Sequence, residues 1–220
     1  MRLKYDTAIG GAVVLDRYRA VADRLLTPVA KRLIRVNPDA VSWLGLLAAA
    51  GAGISFALGG AGFLALALVL LLANSYLDAL DGKIAKLAGK ASPRGDFLDH
   101  VLDRYADVFM IGGIAFSIYC QLWVGTLALL GVLLTSYMGT QAQAVGQGRR
   151  YAGLLGRADR LVLLFIGGLL QLTVSPGGRV LWGGPPLAFQ PLEWFLVLFA
   201  VLGHATAVQR AVSTWRGFTH

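Results

Sequence analysis

The sequence predicts an all-α integral membrane protein in which six transmembrane helices follow an amphipathic interfacial helix. Three observations carry that prediction. The 220-residue chain is 56% hydrophobic and 15% charged, whereas soluble domains run at about 45–50% apolar and about 25% charged. Charge-free runs recur at Ala40 to Gly60, Ala61 to Leu77, Val108 to Thr140 and Leu161 to Gly178, each near or above the roughly 18–20 residues that cross a bilayer. The basic residues, finally, segregate by segment.

Residues 1–39 read as a cytoplasmic N-terminal segment. Its first apolar stretch, Ala8 to Leu15, is short and is followed by charges, so no cleaved signal peptide is expected. Further on, Val21, Leu25, Leu26, Val29 and Leu33 can share one helical face while Arg24, Lys31, Arg32 and Arg35 share another. That pattern suits a helix lying in the membrane interface. The string "NPDA" then ends it and starts the first span.

Residues 40–220 read as one catalytic domain of six spans: 40–60, 61–84, 96–119, 121–146, 157–175 and 190–212. The long run from Val108 divides at "CQLW". With the N-terminus inside, the inner segments collect eighteen of the twenty Lys and Arg residues, the outer segments collect Arg179 alone, and Arg104 falls within the third span. The excess of positive charge inside predicts a multi-pass cell-membrane protein with both termini and the active site cytoplasmic. The net charge of +8 then follows from topology and anionic lipid contact, and nucleic acid is not expected as a partner. Abundant Ala, Leu and Gly suit packed membrane helices. The single Cys120 excludes a disulfide framework, and neither it nor His100 or His204 is expected to do chemistry.

Six of the twelve acidic residues, Asp78, Asp81, Asp96, Asp99, Asp103 and Asp107, fall within "LDALDGKIAKLAGKASPRGDFLDHVLDRYAD". Asp78 and Asp81 are three apart, and the other four follow steps of three, four and four, so each set lines one helical face. The basic loop between them should fold the two faces together as a hairpin at the cytoplasmic side. Carboxylates converging in an apolar bundle repel one another unless a cation neutralises them. Oxygen ligands suit a hard divalent ion such as magnesium, manganese or calcium. Asp107 is expected to pair with Arg104 or another basic group.

Asp78, Asp81, Gly82 and Ala85 form D-x-x-D-G-x-x-A, and Gly95, Asp99 and Asp103 complete G-x-x-x-D-x-x-x-D. This string resembles the signature of the CDP-alcohol phosphotransferases (CDP-alcohol phosphatidyltransferases), membrane enzymes of six helices that use a metal pair to move a phosphoryl-linked group from a CDP-activated donor to an alcohol. The chain departs from the family in having Lys86 where arginine usually follows the alanine; lysine keeps the charge but loses the bidentate fork.

The resemblance implies that Asp78, Asp81, Asp99 and Asp103 hold Mg2+ or Mn2+, as a suspected two-metal site, and that Asp103 is also the general base for the acceptor hydroxyl. It implies further that Asp78, Gly82, Ala85, Lys86 and Gly95 hold the CDP part of a CDP-lipid donor, diacyl or archaeal ether. The family is commonly dimeric, which makes a homodimer an expectation. A cation- or proton-coupled transporter also places carboxylates in membrane helices, but it needs no D-G-x-x-A.

The resemblance also implies an acceptor that is a small soluble polar molecule. Arg157, Arg160 and Arg210, at the inner ends of spans five and six, suit the phosphate of a polyol such as inositol phosphate or glycerol phosphate, and are similar in placement to those of family members using inositol phosphate. Gly139 and Gln141 in "SYMGTQAQ" stand where those members carry basic residues, which makes glycerol phosphate a near rival. An unphosphorylated alcohol, serine or inositol, is the alternative within the family.

Overall fold

In the computed structural model, which describes residues 19–148, 153, 156–178, 180–184 and 187–218, seven α-helices follow in order. They are α1 (Arg19–Arg32), α2 (Pro38–Leu58), α3 (Ala61–Leu87), α4 (Pro93–Ala115), α5 (Leu122–Ala144), α6 (Arg157–Val174) and α7 (Pro191–Arg216). Side chains of residues 19–23 and 25 fall outside the description, as do Arg149, Arg150 and Arg179 of the charge pattern.

The helix starts follow local chemistry. Asn37 caps α2, its side chain accepting from the Asp39 amide at 3.1 Å with Pro38 in the first turn. Ser92 caps α4 in the same way, accepting from Gly95 N at 3.2 Å ahead of Pro93. Each cap satisfies an amide that the helix itself leaves unpaired, and proline is tolerated there because its missing N–H had no partner to lose. Between them α3 ends at Ala88, and Gly89, at φ 63°, turns the chain.

Four helices, α2, α3, α5 and α7, are long and apolar enough to cross a membrane. The other two expected spans fall short by composition. Helix α4 carries Arg94, Arg104 and four aspartates, and α6 opens on Arg157, Asp159 and Arg160. Large apolar side chains point outward along the bundle, among them Leu47, Ile54, Val69, Val201 and Val208, as expected where the surrounding medium is lipid.

The core is continuous from α2 to α7 and includes Phe56, Leu64, Met110, Ile114, Leu164 and Phe199. A smaller cluster of Leu26, Ala30, Val41, Leu80 and Ile84 seats α1 against α2 and α3. The apolar side of α1 is therefore partly spent on protein, with Leu26 and Ala30 buried and Arg24, Lys31 and Arg32 exposed.

The expected hairpin forms differently in one respect. Helix α2 packs against both α3 and α4, which share no extensive contact of their own. Glycines allow that insertion: a Cβ added at Gly53 would lie 2.7 Å from the Phe109 carbonyl carbon, and one at Gly113 would lie 2.6 Å from the Gly53 Cα. The α5–α7 pair uses the same device, since a Cβ at Gly203 would lie 2.7 Å from the Gly131 carbonyl carbon.

Gly113→Ala should accordingly lower the melting temperature of the detergent-solubilised protein, because overpacking of this kind costs about 1–3 kcal/mol. Gly112→Ala, whose added Cβ meets nothing within 4 Å, is the control. It should be neutral or slightly stabilising, alanine being the better helix former. Equal melting temperatures for the two variants would remove the close α2–α4 approach as a determinant of the fold.

Candidate functional site

The C-terminal end of α3, the N-terminal ends of α4 and α6, and the start of α2 meet at one end of the bundle. There Ser42, Asn74, Asp78, Asp81, Asp99, Asp103 and Arg157 line one small pocket. All four aspartates of the motif are thus brought together from two helices. Helical periodicity places Asp78 and Asp81 on one wall and Asp99 and Asp103 on the other.

Alongside lies a larger cavity of about 460 Å³, lined among others by Asp78, Asp81, Gly82, Ala85, Lys86, Gly95 and Asp99. The carboxylates of Asp78, Asp81 and Asp99 line both spaces, so they form a common wall. A Cβ at Gly82 would meet nothing within 4 Å; the glycine faces open space that a ligand can use. Lys86, Lys90 and Arg94 line the same cavity and give it positive charge beside the acidic wall. Arg94 lies 3.7 Å from Asp39 across the cavity mouth.

Guanidinium groups thread the aspartates into a chain. Arg157 Nη1 contacts Asp78 Oδ2 at 2.6 Å and Asp103 Oδ1 at 2.8 Å. Arg104 contacts Asp103 at 3.6 Å and Asp107 at 3.4 Å, and Arg160 Nη2 donates to Asp107 Oδ2 at 3.0 Å. Burial of these groups is near complete at Asp107 and Arg160, 3% and 6% exposed, and charges so placed persist only when paired. Asp107 pairs with Arg104, as the sequence predicts, and also with Arg160.

The three arginines expected at an acceptor phosphate are placed differently from one another. Arg157 lines the acidic pocket. Arg160 is engaged with Asp107, and Arg210 donates to the Thr135 carbonyl at 2.7 Å, joining α7 to α5.

Three further residues belong to the site and escaped the sequence analysis. Ser42 donates to Asp81 Oδ2 at 2.5 Å, and nothing local marks it, since its partner is 39 positions away. Asn74 is four residues before Asp78, a spacing that puts it on the same face. His100, not expected to do chemistry, offers a ring nitrogen that groups with oxygens of Asp99 and Asp103 within 4.8 Å, a set able to hold a metal ion, and its Nε2 lies 3.5 Å from Asp96 Oδ1.

The donor set fits a hard divalent cation. Four carboxylates face one pocket in which, among the described residues, the cationic side chain is Arg157, and one guanidinium leaves most of that negative charge uncompensated. Cys120 plays no part. It lies between α4 and α5, at the other end of the bundle, where burial and then the nearby Glu193 push its thiol up to about 12, so it does not supply a thiolate nucleophile.

The chain is 30% identical over 207 residues to the archaetidylinositol phosphate synthase of Methanothermobacter thermautotrophicus, covering 92% of this chain and 95% of that one. To the phosphatidylinositol phosphate synthase of Streptomyces avermitilis it is 33% identical, over 94% of this chain and 84% of the relative. Among solved structures it is similar to the Mycobacterium tuberculosis phosphatidylinositol phosphate synthase with CDP-DAG bound, at a TM-score of 0.72 and 26% identity, over 87% of this chain and 94% of the other. The same mycobacterial enzyme in complex with manganese and citrate superposes at a TM-score of 0.71, again at 26% identity, over 86% and 88% of the two chains. The CDP-alcohol phosphatidyltransferase family model matches residues 35–208, and with the motif aspartates gathered on the wall of one cavity the chain belongs to that family.

Proposed function

We propose that this protein transfers the phosphatidyl or archaetidyl group of a CDP-activated lipid to a phosphorylated polyol, inositol phosphate first and glycerol phosphate second, with release of CMP. The observation that carries the reading is the wall common to the two spaces. The larger cavity, with Gly82 open and Lys86, Lys90 and Arg94 around it, has room and charge for a nucleoside diphosphate. The inner pocket, with Asp103 and Arg157, has a base and a cation for an incoming phosphorylated alcohol. The relatives named above are by their names synthases of archaetidylinositol phosphate and phosphatidylinositol phosphate, lipids that carry inositol and phosphate, which favours inositol phosphate as the acceptor despite Gly139 and Gln141.

In this reading Asp78, Asp81, Asp99 and Asp103 hold the divalent ion or ion pair, Mg2+ or Mn2+. When bound, the metal supplies positive charge against the attacked phosphate and the departing CMP. Gly82, Ala85, Lys86 and Gly95, with Asp78, hold the CDP part. The acceptor hydroxyl oxygen forms a bond to the lipid-side phosphorus, the bond from that phosphorus to the CMP oxygen breaks, and the hydroxyl proton passes to Asp103. Arg157, 2.8 Å from Asp103, sits where it can hold the acceptor phosphate beside that base. Arg160 and Arg210 would complete the phosphate site only by giving up part of their present contacts.

The same reading makes α2 to α7 the six membrane spans, with α4 and α6 entering by their charged ends. It places α1 at the interface, residues 1–39 and both termini in the cytoplasm, and the cavity open to it, as the positive-inside pattern requires. Residues 40–220 then form the catalytic domain, and a homodimer is the expected assembly.

Chelation should abolish CMP release from CDP-lipid and acceptor, and Mg2+ or Mn2+ should restore it. Undiminished turnover in excess chelator would sink the metal-dependent reaction. Asp103→Asn should lower kcat by about a hundredfold or more while CDP-lipid binding changes less, as loss of a general base does; near-wild-type turnover moves the base elsewhere, to Asp99 first. In a panel of serine, inositol, inositol phosphate, glycerol phosphate and ethanolamine, a phosphorylated polyol should be preferred. Arg157→Gln should raise the KM for that acceptor by about tenfold or more, the effect of losing a charge-assisted contact of about 1.5–3 kcal/mol, with a smaller change for the donor. Preference for serine or free inositol would overturn the phosphorylated-acceptor assignment.

A further inference from the structure

Asn74 lies one turn before Asp78 on α3, is 3% exposed, and lines the acidic pocket. Its Nδ2 donates to the Gly45 carbonyl of α2 at 3.0 Å. That bond fixes the amide's orientation, because a carbonyl oxygen can only accept and the nitrogen must therefore face it. The Oδ1 is left on the other side, fully enclosed and without a hydrogen-bond partner.

An enclosed amide oxygen without a partner costs about 1–3 kcal/mol, a cost that a leucine of similar branched shape would avoid. The acidic groups beside it in the pocket are themselves acceptors when ionised and leave Asn74 Oδ1 unanswered, whereas a cation that they gather would answer it. Hard divalent ions accept amide oxygens alongside carboxylates. A neutral ligand also extends the donor set without a fifth negative charge, where the existing four already repel one another.

We infer that Asn74 contributes its Oδ1 as a neutral ligand to the divalent cation held by Asp78, Asp81, Asp99 and Asp103. The inference rests on the metal reading of the site given above and adds a ligand from outside the D-x-x-D-G-x-x-A motif. It also assigns the amide two tasks: its nitrogen holds α3 to α2, and its oxygen faces the ion.

Those two tasks separate in variants. Mn2+ affinity would be measured on the purified full-length protein, without substrates, by titration calorimetry or by the spin-resonance signal of free Mn2+, alongside the melting temperature in chelator. Asn74→Leu removes both functions and should weaken Mn2+ binding by about tenfold or more, the loss typical of a removed metal-site partner. Asn74→Asp loses the donor to Gly45 but keeps an oxygen and adds charge; it should melt lower in chelator and bind Mn2+ at least as tightly as the wild type. Should Asn74→Leu fail to fold, Asn74→Ala carries the same expectation. Wild-type Mn2+ affinity in the Leu or Ala variant, or equal weakening in Asn74→Asp, overturns the assignment and leaves Asn74 as a helix-packing residue alone. A wild-type protein that binds no Mn2+ overturns the metal reading itself, a result distinguishable from the first because it appears before any substitution is made.

Discussion

Much of this molecule depends on the repulsion among carboxylates gathered at one end of an apolar bundle. Asp78, Asp81, Asp99 and Asp103 share a pocket, and ionised groups in so confined a space cannot coexist without positive charge. The protein meets part of that requirement itself, with Arg157 between Asp78 and Asp103 and Arg104 and Arg160 on Asp107. Two roles are thereby separated along α4. The inner carboxylate, Asp107, is taken up by Arg104 and Arg160, the latter tying α6 to α4, whereas the outer carboxylates stay beside a cavity and retain capacity for a divalent ion.

That arrangement needs α3 and α4 to stand apart, and the apolar part of the bundle keeps them so. Gly53 and Gly113 let the α2 and α4 backbones come close, and α2 packs against α3 as well. In lipid there is no hydrophobic drive to bring helices together, so small residues that allow backbone contact carry much of the association.

The opposite end is held by polar groups that have no part in the chemistry. Tyr119 accepts from Gly60 N at 2.7 Å and donates to the Pro176 carbonyl at 2.9 Å. Glu193, 1% exposed, accepts from the amides of Gln121 and Gln190 at 2.7 and 3.0 Å. Gln171 donates to the Ser175 carbonyl at 2.5 Å and accepts from Leu192 N at 3.1 Å. These bonds satisfy helix-end amides and carbonyls that would otherwise be buried unpaired. They fix the loops at that end.

Helix content and the motif were legible in the sequence because both are local. Charge-free runs, the Asn37 and Ser92 caps beside their prolines, and aspartates at helical spacing each act over a few residues, so the helices and the two acidic faces could be read from neighbours alone. The sequence predicts six spans, whereas α4 and α6 miss the composition of a membrane-crossing helix because of the charges that lie within them. Of the partners of those charges, Arg104 for Asp107 was legible, three residues away on the same helix; those on other helices were not. Arg157 reaches Asp78 across α6 and α3, Ser42 reaches Asp81 from α2, and His100 joins Asp99 and Asp103 only through its side-chain orientation. The sequence by itself determined which residues carry negative charge and on which helical face. The tertiary structure decided which cations answer them and how wide the space between them is, because pairing and packing across helices depend on where distant segments meet rather than on the spacing within any one of them.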